Sequence, residues 1–370
     1  MRAAISVFIA AAGLLALNRA ALGGVTPVRL YAPLGRPVEV RISPSDDVDA
    51  GVNAERLELV LWTPWGSEFA RALVGEGDID LVAAFPALEQ TPPASALWLQ
   101  LEVGGTPDGP PLVIVPMWTA PRYESALTAL ARQILAARSQ TSIEQMLNAA
   151  RASGAALEDQ VVDSGAARSF CGYRLVVDKR VRIKTSLGEM EFALRHDAAP
   201  NHASAFQRLV EGGFYDGTPI HRIVLSGIGS EAVLVQAGDP TGTGTGGSGE
   251  RIAYEPTTLP QNFGVLSMAR TPGDPNSASS QIVIGLDGAA KARLESGATA
   301  FGELTRGASV LREFAAIPVG PREPDRPGSP RDLPLAQLVI ERAWTVDAPP
   351  RGAAVAEVEK EPEAPVPVER

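Results

Sequence analysis

Arg222 stands beside His221 in the run Ile220-His-Arg-Ile223, one of the few places where the chain groups side chains able to do chemistry. The histidine is a potential general base, and the arginine is a permanent cation with its donors in a fixed fork. Only four of the 33 basic residues are lysine, so a single arginine carries little weight by type alone. His196 and His202 flank a helix start and are expected at the surface. Cys171 is the only cysteine, and three histidines add little ligand material, so neither a disulfide framework nor structural zinc is expected. The run Gly242-Thr-Gly-Thr-Gly-Gly247 has the spacing of a phosphate-binding turn. The following Ser248-Gly-Glu-Arg gives no amphipathic helix onset, which leaves a plain glycine-rich turn as the expectation. There is no nucleophile-elbow pattern and no zinc-binding helix motif, and no cofactor is expected.

These residues need a scaffold, and 370 residues are enough for two domains with accessories. Glycine (36) and proline (31) together reach about 18% of the chain, above the ordinary roughly 12%, which favours turn-rich β structure. A net charge of -10 and a pI near 5.0 leave no broad basic surface for a nucleic acid. Arg2, the apolar run Ala3 to Leu17 and the small residues up to Gly23 have the anatomy of a signal peptide, residues 1–23. The apolar run is shorter than the roughly 20 residues of a spanning helix. An exported chain, periplasmic or extracellular, is therefore expected, with no stable membrane insertion after signal removal; an N-terminal membrane anchor is the alternative.

Short β-prone runs at Val38–Ile42, Leu57–Trp62, Ile79–Phe85, Leu97–Val103 and Leu112–Trp118 predict a small β-sandwich-like, immunoglobulin-like domain over 25–123. Trp62, Trp65, Trp98 and Trp118 are expected in its core, and its partner is unknown. Helices are predicted over Ser125–Ala137 and Ile143–Ala152, within a helical connector spanning 124–177. Residues 347–370 are rich in Pro, Ala, Val and Glu without a periodic apolar face and are expected to be disordered.

The most informative stretch begins with a predicted hairpin, Val181–Thr185 and Glu189–Leu194. A helix from His202 to about Glu211 follows, with Asn201 as its cap and Gly212-Gly213 as its stop. Then come Gly213-Phe-Tyr-Asp-Gly-Thr-Pro-Ile-His-Arg-Ile223, Val235-Gln-Ala-Gly-Asp239, Phe263-Gly-Val-Leu-Ser-Met-Ala269, Ser279-Ser-Gln-Ile-Val-Ile284 and Ala300-Phe-Gly-Glu-Leu304. A short helix near Ser309–Ala316 and a strand over Leu335–Trp344 complete it. In order and spacing these blocks resemble the cyclophilin family of peptidyl-prolyl cis-trans isomerases, over residues 178–346. The resemblance implies a mainly β fold, a closed eight-stranded antiparallel barrel with two capping helices and a proline-binding groove on its outer face. It also implies proline-containing polypeptides as partners.

Turning an X-Pro bond breaks no covalent bond but meets a barrier of about 18 to 20 kcal/mol, because the C–N bond has double-bond character. A catalyst must seat the prolyl ring on an apolar surface and offer a donor that favours a localised nitrogen lone pair. By the resemblance, Arg222 supplies that donor and Gln236 bonds both the arginine and the substrate backbone. Gln281 is a polar groove residue, Ala269 and Arg270 contact the peptide through their backbone, and Leu294 keeps an apolar position. Proton abstraction has no place in this reaction, which makes His221 a packing or hydrogen-bonding residue.

The departures from the family pattern are Val233 and Val283 where aromatics are usual, Leu234 where methionine is common, and Ala298 where histidine or tyrosine is frequent. They predict a wider and weaker pocket, with a loss of about 1 to 3 kcal/mol in contact with the ring. The insertion Ser226–Ala232 lengthens the loop between the arginine and glutamine strands. The expected activity is that of an exported isomerase assisting protein folding. The alternatives are a catalytically weak cyclophilin-fold binding or scaffold module, and a role seated in the N-terminal domain as an envelope adhesion or assembly module.

Overall fold

The computed structural model describes residues 23–45, 56–119, 123–136, 144, 145, 148, 161–163, 168–225, 232–287, 298–323 and 331–351. Residues 1–22 of the expected signal peptide (1–23), most of the predicted 143–152 helix, residues 226–231 of the insertion, Leu294 and residues 352–370 lie outside them.

The first part of the chain forms β1 (Gly24–Pro27), β2 (Tyr31–Pro33), β3 (Glu39–Ser43), β4 (Leu57–Trp62), β5 (Glu68–Val74) and β6 (Gly77–Asp80). Helices α1 (Leu81–Ala84) and α2 (Ala87–Gln90) precede β7 (Leu97–Val103) and β8 (Thr106–Trp118). The run Ile79–Phe85, expected as one strand, breaks at Asp80 because its carboxylate accepts from the Val82 backbone N–H and starts α1. Next come β9 (Tyr123–Ser125), α3 (Ala126–Ala136), β10 (Val161–Asp163) and β11 (Phe170–Val177). Residues 170–177, expected in the connector, instead lie inside a six-stranded sheet of order β2-β11-β8-β7-β4-β5.

A three-stranded sheet, β1-β3-β6, shares one core with the six-stranded sheet. Alternation on β4 and β7 points Leu59, Leu61, Leu99 and Leu101 into this core, where they meet Val40 and Ile42 of β3. Each such leucine contributes roughly 1.5 to 3 kcal/mol on burial. Of the four tryptophans expected inside, Trp98 is fully buried and Trp62 half-buried, whereas Trp65 is 84% exposed at the β4–β5 turn and Trp118 is also exposed.

The second part forms β12 (Lys179–Thr185), β13 (Gly188–Leu194), α4 (Pro200–Glu211), β14 (Ile220–Leu225), β15 (Ala232–Ala237), β16 (Val265–Ala269), β17 (Ile282–Gly285) and β18 (Ala298–Arg306). Helix α5 (Ala308–Ala315), the hairpin β19 (Val319–Pro321) and β20 (Arg331–Pro334), and β21 (Ile340–Asp347) follow. Eight strands make one antiparallel sheet, β14-β15-β17-β16-β18-β13-β12-β21. It is open, not the closed barrel expected. Its edge strands β14 and β21 meet through an isolated Pro219↔Val339 bridge and three backbone bonds among residues 217–220 and 338–340, with no running ladder. Pro219 has no N–H to give, and a register shift at Lys184/Thr185 bends the β21 edge. The inner face buries Phe192, Ile223, Val235, Met268, Ile284 and Phe301 against Phe206 of α4 and Phe314 of α5.

Four further expectations differ from the structure. Helix α4 starts at Pro200 with Ala199 as its N-cap, so Asn201 is not the cap. The Glu255 carboxylate takes that role, accepting from the backbone N–H groups of Asn201 and His202 and meeting His202 Nδ1 at 2.7 Å. His202 and His196 are thus buried, not at the surface. Residue 347, expected in a disordered tail, is instead in the fold: Asp347 ends β21 and pairs with Lys179. Arg351 lies over the Trp98 ring at 3.9 Å, and its backbone N–H donates to Gln100 Oε1. The last strand begins at Ile340, not Leu335, whose backbone N–H instead donates to the Pro318 carbonyl beside the hairpin.

Candidate active site

Strand alternation assembles the site. On β14 the inward residue is Ile223, which turns Arg222 and Val224 outward. On β15 Val235 and Ala237 point inward, and Leu234 and Gln236 outward; on β17 Ile282 and Ile284 point inward, and Val283 outward. The register then aligns one row across four strands: Arg222 opposite Gln236, Gln236 opposite Val283, and Val283 opposite Ser267. Residues as much as 61 positions apart in sequence thus share one row.

Arg222 and Gln236 of this row, with Gln281 just before β17, form a continuous chain of hydrogen bonds. Arg222 Nη1 donates to Gln236 Oε1 at 3.2 Å, and Gln236 Nε2 donates to Gln281 Oε1 at 2.6 Å. Gln281 Nε2 donates to the carbonyls of Gly244 and Gly246 at 3.0 and 2.8 Å. The Gln236 amide is thereby fixed with its oxygen toward the cation. Arg222 keeps 38% of its side chain exposed, so the fork is open to a ligand.

Beside the row lies an apolar cluster of Val224, Val233, Leu234, Val283 and Ala298, with Ala269 packed against it. The resemblance named five of these six, and the structure brings them together. Within the cluster Val233 is only 1% and Val283 3% exposed. Ala269 donates its backbone N–H to the Gln281 carbonyl at 2.8 Å, and the Arg270 guanidinium lies over the Tyr254 ring at 5.9 Å, beside the cluster.

The glycine-rich turn is organised by Asp239, a residue the sequence reading missed. Its carboxylate accepts from Thr241 N and Oγ1, Gly244 N and Gly246 N at 2.7 to 2.9 Å. Desolvation pushes the carboxyl pKa up, but these donors outweigh it and hold the group well below the usual carboxylate range. A Cβ at Gly246 would sit 2.1 Å from Asp239 Oδ1, which is why glycine stands there. An Asp followed by Pro-Thr-Gly is a turn signal that would have found this residue.

His221 is buried on this strand; desolvation lowers its pKa, and neither ring nitrogen has a hydrogen-bond partner among the described residues. It is a neutral packing residue. Asp332 on β20 and Arg322 just after β19 also reach the site, with Asp332 Oδ2 accepting from Arg222 Nε at 2.7 Å. Nothing local in the sequence connects them to it.

Residues 180–340 match the family model for the cyclophilin type peptidyl-prolyl cis-trans isomerase/CLD. The peptidyl-prolyl cis-trans isomerase-like 1 protein of Neurospora crassa is 34% identical over 166 residues, 44% of this chain and 94% of that protein. The Schizosaccharomyces pombe peptidyl-prolyl cis-trans isomerase ppi1 is 34% identical over 142 residues, 37% of this chain and 85% of that protein. Among solved structures, a Cryptosporidium parvum cyclophilin type peptidyl-prolyl cis-trans isomerase, crystallised in the presence of dipeptide Ala-Pro, is 28% identical. It covers 46% of this chain and 99% of its own, with a TM-score of 0.38.

Proposed function

The chain belongs to the cyclophilin-type peptidyl-prolyl cis-trans isomerase family, and from that premise we propose that it is an exported isomerase that turns X-Pro bonds of flexible protein clients at the Arg222 face. The observation that carries this reading is the hydrogen-bonded row Arg222–Gln236–Gln281 set against the apolar cluster of Val224, Val233, Leu234, Val283 and Ala298. A prolyl ring held on the cluster sets its nitrogen beside the guanidinium. A donated hydrogen bond then stabilises the pyramidal nitrogen of the twisted amide more than the planar one, which is differential binding of the transition state. Gln236 orients the arginine, and its amide lies within reach of the substrate backbone. The reaction needs no acid, base or nucleophile, in keeping with a neutral, buried His221.

The burial of Val233 and Val283 favours a second reading, a proline-peptide-binding module with slow turnover, because the ring must open the packed cluster to enter. In both readings the paired sheets before residue 178 act as a β-sandwich-like accessory unit that presents or localises clients.

Two-dimensional exchange NMR on a short Ala-Pro peptide tests the proposal. Wild type is expected to accelerate cis-trans exchange, and Arg222→Ala to lower kcat/KM by about 10²-fold. Equal rates for the two, or no acceleration by either, overturn the isomerase site, and peptide binding without acceleration selects the second reading. Export is tested by the N-terminal sequence of the protein recovered from cells, which is expected to begin near residues 20–24.

A further inference from the structure

Asp332 is a buried carboxylate that the resemblance did not assign, with its side chain 7% exposed and 110 residues away from Arg222 in sequence. The register of the β19–β20 hairpin passes from Gly320↔Leu333 to Pro321↔Arg331, leaving Asp332 as the unpaired residue of a bulge. A bulge turns a side chain out of the regular alternation. Here it directs the carboxylate toward β14, against which β20 packs. Oδ2 accepts from Arg222 Nε at 2.7 Å, and Oδ1 accepts from Arg322 Nε at 3.1 Å. Arg322 donates in turn from Nη1 to the Thr243 carbonyl, at 3.2 Å, in the glycine-rich turn.

An arginine tied at one nitrogen can swing about that bond. Anchoring Nε to Asp332 and Nη1 to Gln236 fixes the plane of the fork. Nη2, which makes no hydrogen bond among the described residues, is left as the donor for a ligand. One carboxylate between two guanidinium groups leaves the cluster net positive, so Arg222 keeps its attraction for a nitrogen lone pair. Building on the isomerase reading above, we infer that Asp332 is a positioning residue that orients the Arg222 fork toward the prolyl nitrogen.

The test combines a signal in the unmodified chain with a double-mutant cycle. In wild type, the Arg222 Nε–Hε resonance should be sharp and protected from water exchange; a rapidly exchanging signal overturns the inference without any variant being made. Asp332→Asn should lower kcat on the Ala-Pro peptide about tenfold or more, leave KM within about threefold, and abolish that protection. In an Arg222→Ala background the same substitution should cost nothing further, because its effect passes through the arginine. An equal loss in both backgrounds means that Asp332 supports only the fold, and the inference fails. Wild-type activity retained by Asp332→Asn also overturns it, while the proposed function stands. A wild type that does not accelerate exchange overturns the proposed function together with the catalytic consequence drawn here, whatever the Nε–Hε signal shows.

Discussion

Substituting Arg222 by lysine separates a fork from a point charge. Both side chains are cationic, so a mechanism that needs only positive charge near the amide predicts little change. The structure predicts otherwise, because Arg222 uses Nε and Nη1 at once, toward Asp332 at 2.7 Å and Gln236 at 3.2 Å, while Nη2 serves the ligand. A single ammonium cannot meet all three directions with the same geometry. A hydrogen bond to a charged group is worth about 1.5 to 3 kcal/mol, and each 1.36 kcal/mol is tenfold in rate. Loss of one such bond from the transition state therefore lowers kcat/KM by about 10- to 100-fold. Exchange NMR on the Ala-Pro peptide gives kcat/KM, and a thermal melt of each protein controls for folding. Arg222→Lys retaining activity within about threefold of wild type, with an unchanged melt, would refute the fork argument and leave charge as the sufficient feature.

Two other substitutions test the scaffold. Gly238 has φ +85°, and a Cβ there would lie 2.4 Å from the Ser280 carbonyl oxygen, so Gly238→Ala should destabilise the fold by about 2 kcal/mol or more; an unchanged urea midpoint contradicts this. Asp178 joins β11 to β12 and accepts from Trp98 Nε1 at 2.7 Å; burial raises its pKa to about 6 from 3.8. Because the folded pKa is the higher one, its stability contribution is full below about pH 3.8 and is lost as pH rises through 6, a change of about 3 kcal/mol. Asp178→Asn should remove that slope from stability measured between pH 4 and 7, and a slope equal to that of wild type would show that Asp178 is not its source.

The site row is legible in the sequence through short local blocks whose residue types and spacing stand in the chain itself. The resemblance of the ordered blocks to the cyclophilin family picks out Arg222, Gln236 and Val283, and the structure sets Ile223, Val235 and Ile284 on the opposite, inward face. Long-range consequences are harder to read. Phe170–Val177 falls among polar connector residues, and its place in a sheet depends on pairing with β8, more than 50 residues earlier. His196 and His202 look like surface residues because their neighbours are polar, yet Glu255 supplies a buried partner to His202 from 53 positions away. The open edge between β14 and β21 depends on where Pro219 meets Val339, which no local pattern fixes. The valine substitutions are plain in the sequence. The near-complete burial of Val233 and Val283 in the cluster depends on neighbours from other strands and shows only in three dimensions. Asp332 enters the site through a bulge, and a bulge has no signature in Arg331-Asp332-Leu333-Pro334 alone.

Isomerisation at this face turns on where the proline ring is held. Intermolecular NOEs between an isotope-labelled Ala-Pro peptide and methyl-labelled full-length protein measure this directly. The structure predicts contacts from the proline ring protons to the methyl groups of Val233, Leu234 and Val283, together with contacts to the Arg222 side chain. Contacts confined to the sheets before residue 178, or absent from Val233 and Val283 at saturating peptide, contradict it.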